Sequence, residues 1–358
     1  MARTRVLVVE DSLTTRRHLI DVLSADPGLE IAGEAADGKR AIELCESLRP
    51  DVITLDMMMP IMSGLAVTEY IMAYYPTPIL IVSASTNRGE LYKTYDALAA
   101  GALDVLDKPT SCDPDGAWAT RLISAVKVAA RIKVITHIRA KIGSPGKVPA
   151  RPFECPGSNG TVGGGMIAIG GSTGGPAAIV KILNELPACF PIPILLVIHI
   201  SAPFGVAFAE WLDVQTPIRV RCAQDGEPLP VWGQTGVIMA PPGLHMIVQQ
   251  KKLRLIDGPE RNSCKPSVDM LFESLAQEIG QDTTACLLTG MGRDGAVGLL
   301  ALHQAGALTV AQDETSSVVF GMPREAIRMG AAKRVLALDQ IAGALAAVAG
   351  ESTLRRRE

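Results

Sequence analysis

Short apolar segments alternate with helical ones along most of this chain, and this alternation restricts the fold more than any other feature. Between residues 5 and 109 the apolar runs are RVLVVED, EIAGEA, DVITLDM, PILIVSA and DVLDKP, each separated from the next by a helical pattern. Strands that alternate with helices form a parallel sheet with helices on both faces. The sequence therefore predicts a five-stranded parallel α/β domain in this region.

The same alternation resumes near Gly165. Apolar runs recur as MIAIGG, PILLVIHI, VIMAPP, LRLIDG, ACLLTG and LTVAQD, with four helical patterns among them. Residues 218–258 are richer in Pro and Gly and predict a strand excursion from the main sheet. We therefore expect a second, doubly wound α/β domain, and a chain of 358 residues is long enough for two cores.

The two regions are separated by a segment of different amino-acid composition. A basic, helix-like stretch, AWATRLISAVKVAARIKVITHIRAKI, runs into GSPGKVPARPFECPGSNGTVGGG, where Gly and Pro disfavour regular structure. The basic residues fit the solvated face of a connecting helix better than a docking surface for an acidic partner. The predicted organisation is a first domain over residues 1–125, a linker over 126–164 and a second domain over 165–350.

Composition excludes several classes of protein. The formal net charge of −3 gives no sign of nucleic-acid binding. Seven cysteines without a C-x-x-C spacing predict neither a disulfide framework nor a zinc site. The N-terminus lacks the apolar core of a signal peptide, and no later run is long enough to span a membrane. We expect a cytoplasmic protein.

Five polar side chains end strands of the first predicted sheet. They are Glu10 and Asp11 after the first strand, Asp56 after the third, Ser83 after the fourth and Lys108 after the fifth. The carboxyl ends of parallel strands meet at one edge of a sheet. Three carboxylates repel one another unless a cation intervenes, and oxygen ligands suit Mg²⁺. Asp56 is then a candidate nucleophile for a phosphoryl group, although any one of these acids alone would fit a solvated strand end.

Three further side chains end strands of the second domain. Ser172 lies in GGSTGG, His199 in HIS and Asp294 in TGMGRDG. A hydroxyl, an imidazole and a carboxylate are the groups of a serine hydrolase, which uses them as nucleophile, general base and orienting acid. The order along this chain is Ser, His, Asp, whereas α/β-hydrolases have Ser, acid, His.

Each of these residues also has a structural alternative. Ser172 could cap the following helix, but a cap needs no glycines on both sides, whereas a tight turn approached by a substrate does. A phosphate-binding loop would need a lysine that is absent here. His199 could be a satisfied core residue, and His245 in APPGLHM is the rival base. Asp294 could form an Asx turn or cap a helix.

The first domain closely resembles the receiver domain of bacterial two-component response regulators, which has a flavodoxin-like fold. The matching segments are VVEDS, TLDMMMP, SAS and DKP. The resemblance implies that Asp56 is phosphorylated and that Ser83 and Lys108 are the switch residues. It departs at Val105, where receivers often carry an aromatic residue. The implied Mg²⁺ site consists of Glu10, Asp11, Asp56 and Met58.

The second domain resembles the catalytic domain of chemotaxis protein-glutamate methylesterases of the CheB family. The matching segments are STGGP, HI, APPGLH, KPSVDMLFESLA, LTGMGRDGAVGL and AQDETSSVVFGMPREA, in the order of the family. The resemblance implies that Ser172 is the nucleophile, His199 the base and Asp294 the acid. It also makes the backbone N–H groups of Thr173 and Met291 candidates for the oxyanion site. Two departures are Ile200, where the family has methionine, and NSCK before PSVD.

The two resemblances together predict a phosphorylation-activated enzyme that hydrolyses glutamyl γ-methyl esters on chemoreceptors. The same acyl-enzyme would also serve the deamidation of glutamine side chains. The implied partners are methyl-accepting chemotaxis receptors as substrate and a histidine kinase as phosphodonor, with no nucleic acid, no membrane insertion and no cofactor in the catalytic domain. A tethered receiver that covers the Ser172 cleft until Asp56 is phosphorylated is the expected mode of control.

Two other functions were weighed against this one. A receiver joined to an inactive second domain would be a phosphorelay binding protein, and the complete Ser-His-Asp set argues against it. A DNA-binding output is disfavoured because the second domain has neither a helix-turn-helix pattern nor a basic recognition helix.

Overall fold

The chain forms two compact units, residues 1–148 and 149–358, in a computed structural model. The structure describes residues 3–84, 88–108, 116–132, 134, 165–200 and 202–355. Most of the predicted linker, including residues 135–164, therefore lies outside the described residues.

The first unit contains a five-stranded parallel sheet with strand order β2-β1-β3-β4-β5. The strands are short, β-branched and largely buried, as expected for a sheet covered on both faces. This confirms the predicted fold of the first domain. The strands are β1 (Thr4–Val9), β2 (Leu29–Ala35), β3 (Val52–Leu55), β4 (Ile79–Ser83) and β5 (Asp104–Asp107).

Five helices connect or follow these strands. Three of them begin at a side chain that accepts a backbone N–H of the first turn, namely Ser12, Asp37 and Ser63. The helices are α1 (Leu13–Ser24), α2 (Gly38–Leu48), α3 (Gly64–Tyr74), α4 (Arg88–Ala99) and α5 (Ala117–Ala129).

Helix α5 crosses the domain boundary predicted at residue 125. Its buried residues are Trp118, Leu122, Val126 and Ala129, which share one helical face, and the helix packs against α1, β3 and β4. The Trp118 indole also donates to the Asp107 carbonyl at 2.7 Å. The apolar face therefore belongs to the first domain up to Ala129, although the basic residues of the opposite face resemble those of a connecting helix.

The second unit contains a seven-stranded sheet in which every pairing is parallel, with order β14-β13-β12-β6-β7-β9-β8. A separate antiparallel hairpin, β10-β11, confirms the excursion predicted within 218–258. The strands are β6 (Met166–Gly171), β7 (Ile194–Ile198), β8 (Val220–Cys222), β9 (Val237–Met239), β10 (His245–Gln249), β11 (Lys252–Ile256), β12 (Thr283–Leu287), β13 (Leu308–Gln312) and β14 (Arg334–Leu336).

Six α-helices and one short 3₁₀ helix, Gly280–Asp282, accompany these strands in the described part of the second unit. Strands β8 and β14 and the seven-residue helix Met322–Arg328 were not predicted, because such short elements do not show a period. The 18-residue helix Leu338–Arg355 was not predicted either, although it is long enough to show one. The α-helices are α6 (Gly175–Glu185), α7 (Ala202–Gln215), α8 (Val268–Glu278), α9 (Ala296–Gln304), α10 (Met322–Arg328) and α11 (Leu338–Arg355).

The order of the large sheet reverses at β6, its central strand. The chain proceeds from β6 to β7, β9 and β8 on one side, and later returns to β12, β13 and β14 on the other. Crossover connections are right-handed, so helices of the two halves cover opposite faces and the loops diverge at the carboxyl end of β6. Such a switch point is where ligands bind in open α/β sheets.

Among the described residues, four cysteines carry free thiols, Cys45, Cys222, Cys264 and Cys286, whereas Cys189 is disulfide-bonded. The spacing of the cysteines did not predict a bonded one. Among the described helices, none has the length and apolar character needed to span a bilayer.

Candidate active sites

The three acidic side chains predicted at the edge of the first sheet do lie together. Glu10 follows β1, Asp56 follows β3, and both are almost completely buried, at 0% and 3% exposure. Asp11 is exposed beside them. One carboxylate oxygen from each of the three lies within 4.8 Å of the others. This oxygen-only set is the kind that a hard divalent cation prefers.

One cation of the protein enters this cluster. The Lys108 Nζ lies 2.8 Å from Glu10 Oε2 and 2.9 Å from Asp56 Oδ2. Burial raises the pKa of both Glu10 and Asp56. Burial also acts to lower the pKa of Lys108, but its bonds to the two carboxylates outweigh this and raise it. One ammonium group against three carboxylates leaves negative charge that fits a bound Mg²⁺.

The other residues predicted for this site lie around Asp56. The backbone N–H groups of Met57 and Met58 donate to the Asp56 carboxylate. Ser83 is buried at the end of β4, and its carbonyl accepts the Lys108 N–H at 3.0 Å. Val105 is buried within β5. The predicted switch residues thus lie at the carboxyl ends of β4, which is next to β3, and of β5, which is next to β4.

The second site lies at the carboxyl ends of three adjacent strands, β12, β6 and β7. Ser172 follows β6 and His199 follows β7, and the His199 N–H donates to the Gly171 carbonyl at 3.1 Å. On the other side of β6, the Ser172 N–H donates to the Thr289 carbonyl at 3.0 Å. Asp294 lies in the loop that follows β12. The sheet therefore brings together three residues that are far apart in sequence.

His199 and Asp294 are joined directly, with 2.9 Å between Nε2 and Oδ2. Asp294 is 1% exposed. Its carboxylate also accepts the Ser267 hydroxyl at 2.7 Å and the Val268 N–H at 2.6 Å. Weaker bonds come from the Asp269 N–H and the Asn262 amide, both at 3.3 Å. Asp294 is thus held in one orientation by several donors.

The electrostatics of this pair follow from these contacts. Burial alone would raise the pKa of Asp294, but the bonds from His199 and Ser267 lower it to about 2. Burial alone would lower the pKa of His199, but its bonds to Asp294 and to the Cys264 thiol raise it to about 9. The carboxylate therefore favours an imidazolium on His199, which is the form that arises when a base takes a proton.

Ser172 is not a helix cap. The residue that caps α6 is Gly174, which has φ +76° and makes no side-chain cap bond. Ser172 itself is half-buried, and Gly290 approaches it so closely that a Cβ at 290 would lie 2.8 Å from the Ser172 Cβ. The glycines therefore allow close packing of backbone around the serine, as expected for a nucleophile in a tight turn.

The His199 ring nitrogen that does not face Asp294 is Nδ1. Among the described residues, the group bonded to Nδ1 is the Cys264 thiol, with Sγ 3.6 Å away. No hydrogen bond joins Ser172 Oγ to His199 within the described chain. Catalytic hydrogen bonds often form only when substrate is present, so this geometry is compatible with a base.

The rival base, His245, has a structural position. It is 1% exposed, and its Nε2 lies 3.0 Å from the Pro259 carbonyl. Its Nδ1 accepts the Ser267 N–H at 3.2 Å. Both ring nitrogens are thus satisfied by backbone groups, so His245 supports Ser267, which in turn holds Asp294.

Both residues predicted for the oxyanion site are next in sequence to positions at the serine, Thr173 to Ser172 itself and Met291 to Gly290. The Thr173 carbonyl accepts the Thr289 hydroxyl at 3.0 Å. Met291 follows Gly290, and its backbone N–H makes no hydrogen bond within the described residues. This N–H could receive an oxyanion without losing a partner, so the structure is compatible with the prediction for Met291.

Sequence reasoning missed the residues that orient Asp294. Ser267 caps α8, accepting the Met270 N–H at 3.4 Å, and also donates to Asp294. Its signal was present in the KPSVD segment, since a serine before an apolar helix is a typical cap. The neighbouring Cys264 and Asn262 lie in the NSCK segment, and no pattern indicated their contacts with His199 and Asp294.

Residues 167–345 match the CheB methylesterase family, and residues 6–114 match the response regulator receiver domain. A protein-glutamate methylesterase/protein-glutamine glutaminase from Nitrosospira multiformis is 43% identical over 97% of this chain and 97% of its own length. One from Anaeromyxobacter dehalogenans is 40% identical over 95% and 96%. The crystal structure of a CheB methylesterase catalytic domain from Thermotoga maritima is 35% identical, covers 51% of this chain and 98% of that chain, and has a TM-score of 0.48.

Proposed function

This chain belongs to the CheB methylesterase family, and we propose that it hydrolyses glutamyl γ-methyl esters on chemotaxis receptors under the control of its receiver domain. Relatives similar over nearly the whole chain carry both the methylesterase and the glutaminase name. The observation that carries the proposal is the His199–Asp294 bond at 2.9 Å, at the carboxyl end of the strand that Ser172 follows.

In the proposed reaction the Ser172 hydroxyl attacks the ester carbonyl carbon. His199 takes the hydroxyl proton on Nδ1, and the Asp294 carboxylate stabilises the imidazolium that results. The carbonyl oxygen becomes an oxyanion, for which the Met291 and Thr173 backbone N–H groups are the proposed donors. The C–O bond to the methoxy group then breaks, and methanol leaves with the proton from His199.

Water completes the cycle through the same groups. His199 removes a proton from the water molecule, the hydroxide attacks the acyl-serine, and Ser172 leaves with that proton. The product is a glutamate side chain. A glutamine side chain would give the same acyl-enzyme with ammonia as the leaving group, which accounts for the double name of the relatives.

The proposed phosphoacceptor of the receiver domain is Asp56. Mg²⁺, for which Glu10, Asp11, Asp56 and the backbone of Met58 are the proposed ligands, would neutralise charge on the transferred phosphoryl group. Lys108 already lies within ion-pair distance of Asp56 and would contact a phosphoryl oxygen there. Ser83, at the end of the neighbouring strand, is the proposed switch hydroxyl.

A receiver domain implies a phosphodonor kinase, and a methylesterase implies a receptor substrate. We propose a histidine kinase and methyl-accepting receptors as these partners, with the enzyme acting in the cytoplasm. We further propose that the unphosphorylated receiver inhibits hydrolysis and that phosphorylation of Asp56 relieves this inhibition, by about 5- to 150-fold given the usual size of such couplings.

The test measures methanol release from a methylated receptor fragment by the full chain. Ser172→Ala should reduce the rate by roughly 10³-fold or more while leaving the circular dichroism and Tm unchanged. Ser317→Ala, which alters a hydroxyl on a loop of the same domain, is the control and should keep the rate. A serine-directed phosphonate should label the wild type and spare Ser172→Ala. An unlabelled wild type would favour the alternative, a phosphorelay protein with an inactive second domain.

A further inference from the structure

The thiol of Cys264 lies against the catalytic imidazole, with 3.6 Å between Sγ and the His199 Nδ1. We propose that Cys264 and His199 form a binding site for Zn²⁺ and that occupation of this site stops hydrolysis. The inhibitory half of this proposal rests on the proposed function, whereas the metal site itself does not.

The separation of the two atoms fits a zinc ion. A tetrahedral Zn²⁺ with a Zn–S bond of about 2.3 Å and a Zn–N bond of about 2.05 Å holds sulfur and nitrogen about 3.6 Å apart. The observed distance is 3.6 Å. A hydrogen bond joins the two atoms, and the metal would replace the proton that they share. Little movement of either side chain is then needed.

The opposite edge of the imidazole is already arranged as in zinc sites. A histidine that binds a metal through one nitrogen usually donates the other ring N–H to a carboxylate, which fixes the ring and makes it a better ligand. Here His199 Nε2 is bonded to Asp294 Oδ2 at 2.9 Å. Ligand atoms of His199, Cys264 and Asp294 lie within 4.8 Å of one another.

The backbone around Cys264 holds the thiol in place. Residues 261–264 form a tight turn closed by two reciprocal bonds between Arg261 and Cys264, at 3.1 and 3.0 Å. Asn262 and Ser263 occupy the left-handed region, with φ of 53° and 59°. Arg261 is anchored by two hydrogen bonds to Glu273 on α8. A turn fixed at both ends presents a pre-positioned ligand.

The chemistry of the two ligands selects the metal. A thiolate with an imidazole favours Zn²⁺ over Mg²⁺, which prefers the oxygen cluster of Glu10, Asp11 and Asp56. His199 and Cys264 are half-buried, so the remaining coordination positions can be taken by water. Cys286, by contrast, is fully buried, and burial raises its pKa to about 12.

Zinc on Nδ1 would use the lone pair that accepts the Ser172 proton. The base would then be blocked while the fold and the receiver domain remain intact. Inhibition should therefore be reversible by a chelator and independent of phosphorylation.

The experiment uses the full chain, reduced and in excess Mg²⁺ so that the receiver cluster is occupied. Co²⁺ is added as a spectroscopic probe, and Zn²⁺ affinity is measured by competition with a chromogenic chelator. The wild type should show a near-ultraviolet thiolate-to-cobalt band and bind one Zn²⁺ in preference to further ions. Cys264→Ser should lose the band and weaken this binding by about 10-fold or more. Cys222→Ser, which removes a half-exposed thiol on β8, should behave as wild type.

Hydrolysis is measured on the same samples. Zn²⁺ should inhibit the wild type and Cys222→Ser, whereas Cys264→Ser, compared with its own rate in a chelator, should need about 10-fold more Zn²⁺ for half-inhibition. A cobalt band that persists in Cys264→Ser, or equal inhibition of Cys264→Ser and the wild type, would overturn the proposal. The cobalt band and the chelator competition test the metal site even if the protein hydrolyses no ester. Failure of the proposed function can therefore be distinguished from failure of the metal-site proposal.

Discussion

Replacing Asp294 with asparagine tests the central feature of the active site, which is a carboxylate that only accepts hydrogen bonds. Its Oδ2 receives the His199 Nε2 and the Val268 N–H, and its Oδ1 receives the Ser267 hydroxyl. An amide has one oxygen and one NH₂ group. In Asp294→Asn, either His199 and Val268 or Ser267 must therefore face a donor instead of an acceptor.

The size of the expected loss in kcat/KM follows from the pKa of His199. The contacts in the folded protein raise it from 6.5 to about 9 although burial acts in the opposite direction. A difference of about 2.5 units corresponds to about 3 kcal/mol in favour of the imidazolium. Asp294 and Cys264 share this shift, and the transition state contains the imidazolium, so losing the carboxylate should cost up to about 10²-fold in kcat/KM. If the amide also fixes the wrong tautomer, with the proton on Nδ1, the loss should approach roughly 10⁴-fold.

The assay is the pH dependence of kcat/KM for methanol release. A base must be neutral to accept a proton, so the wild-type rate should be low below the pKa of His199 and should rise with pH through that raised value. Without the carboxylate, burial lowers the pKa of His199 and the Cys264 thiol still raises it, so the pKa falls from its wild-type value. The rate of Asp294→Asn should therefore stop rising at a lower pH than that of the wild type, and at a much lower level.

The stability of the folded protein should also depend on pH through the His199–Asp294 pair. The raised pKa of His199 stabilises the folded state fully below pH 6.5, and this contribution is lost as the pH rises towards about 9. The lowered pKa of Asp294 stabilises the folded state above pH 3.8, and this contribution is lost as the pH falls to about 2. The Tm difference between wild type and Asp294→Asn should thus be largest between these two ranges.

Asp269→Asn is the matched control. Asp269 is also a buried carboxylate, but it accepts the Gly298 N–H at 2.7 Å and makes no hydrogen bond to His199. Its replacement should move the pH profile by less than about one unit. The reasoning fails if Asp294→Asn keeps the wild-type inflection, or if Asp269→Asn shifts it as far.

Three other substitutions address separate parts of the chain. Gly290→Ala places a Cβ 2.8 Å from the Ser172 Cβ and should reduce kcat by roughly 10²-fold. Gly343→Ala is its control, because the added methyl has open space there, and it should leave the kinetics unchanged. His245→Ala should lower the free energy of unfolding, measured in urea titrations, by about 2–4 kcal/mol, while the pH dependence of kcat/KM keeps its wild-type inflection. Loss of that inflection would make His245 the base. Asp56→Asn should abolish the incorporation of acid-labile phosphate from a small phosphodonor. EDTA should have the same effect on the wild type, and incorporation that persists in EDTA would contradict the Mg²⁺ site.

The positions of the candidate residues could be predicted because a parallel sheet collects strand ends. Ser172 and His199 each follow an apolar run that ends in a loop, and the structure places them on the adjacent strands β6 and β7. Asp294 was also predicted from its strand, β12. The sequence did not reveal that β12 lies beside β6, because this pairing joins segments more than a hundred residues apart. Local patterns do not encode such neighbours.

The groups that tune the site were harder to predict for the same reason. Cys264 is 65 positions from His199, and Ser267 is 27 positions from Asp294. Neither contact follows from a helical or strand period, since both depend on how the loop before α8 folds back over the sheet edge. The boundary near residue 125 has a different explanation. The basic face of α5 is typical of a linker, whereas its apolar face packs in the first domain.

The unusual order of Ser, His and Asp along the chain follows from the order of the strands. β6 lies between β7 and β12, so the chain reaches the base on one side before it returns to supply the acid on the other. Two strands separated by a third are about 10 Å apart. A bond of 2.9 Å between His199 and Asp294 must therefore pass over the carboxyl end of β6. β6 ends in Gly170 and Gly171, and a Cβ at 170 would collide with Val268, whose N–H donates to Asp294. Gly170 is thus required by the packing that holds Asp294 beside His199, whereas a Cβ at 171 would meet only ordinary contacts.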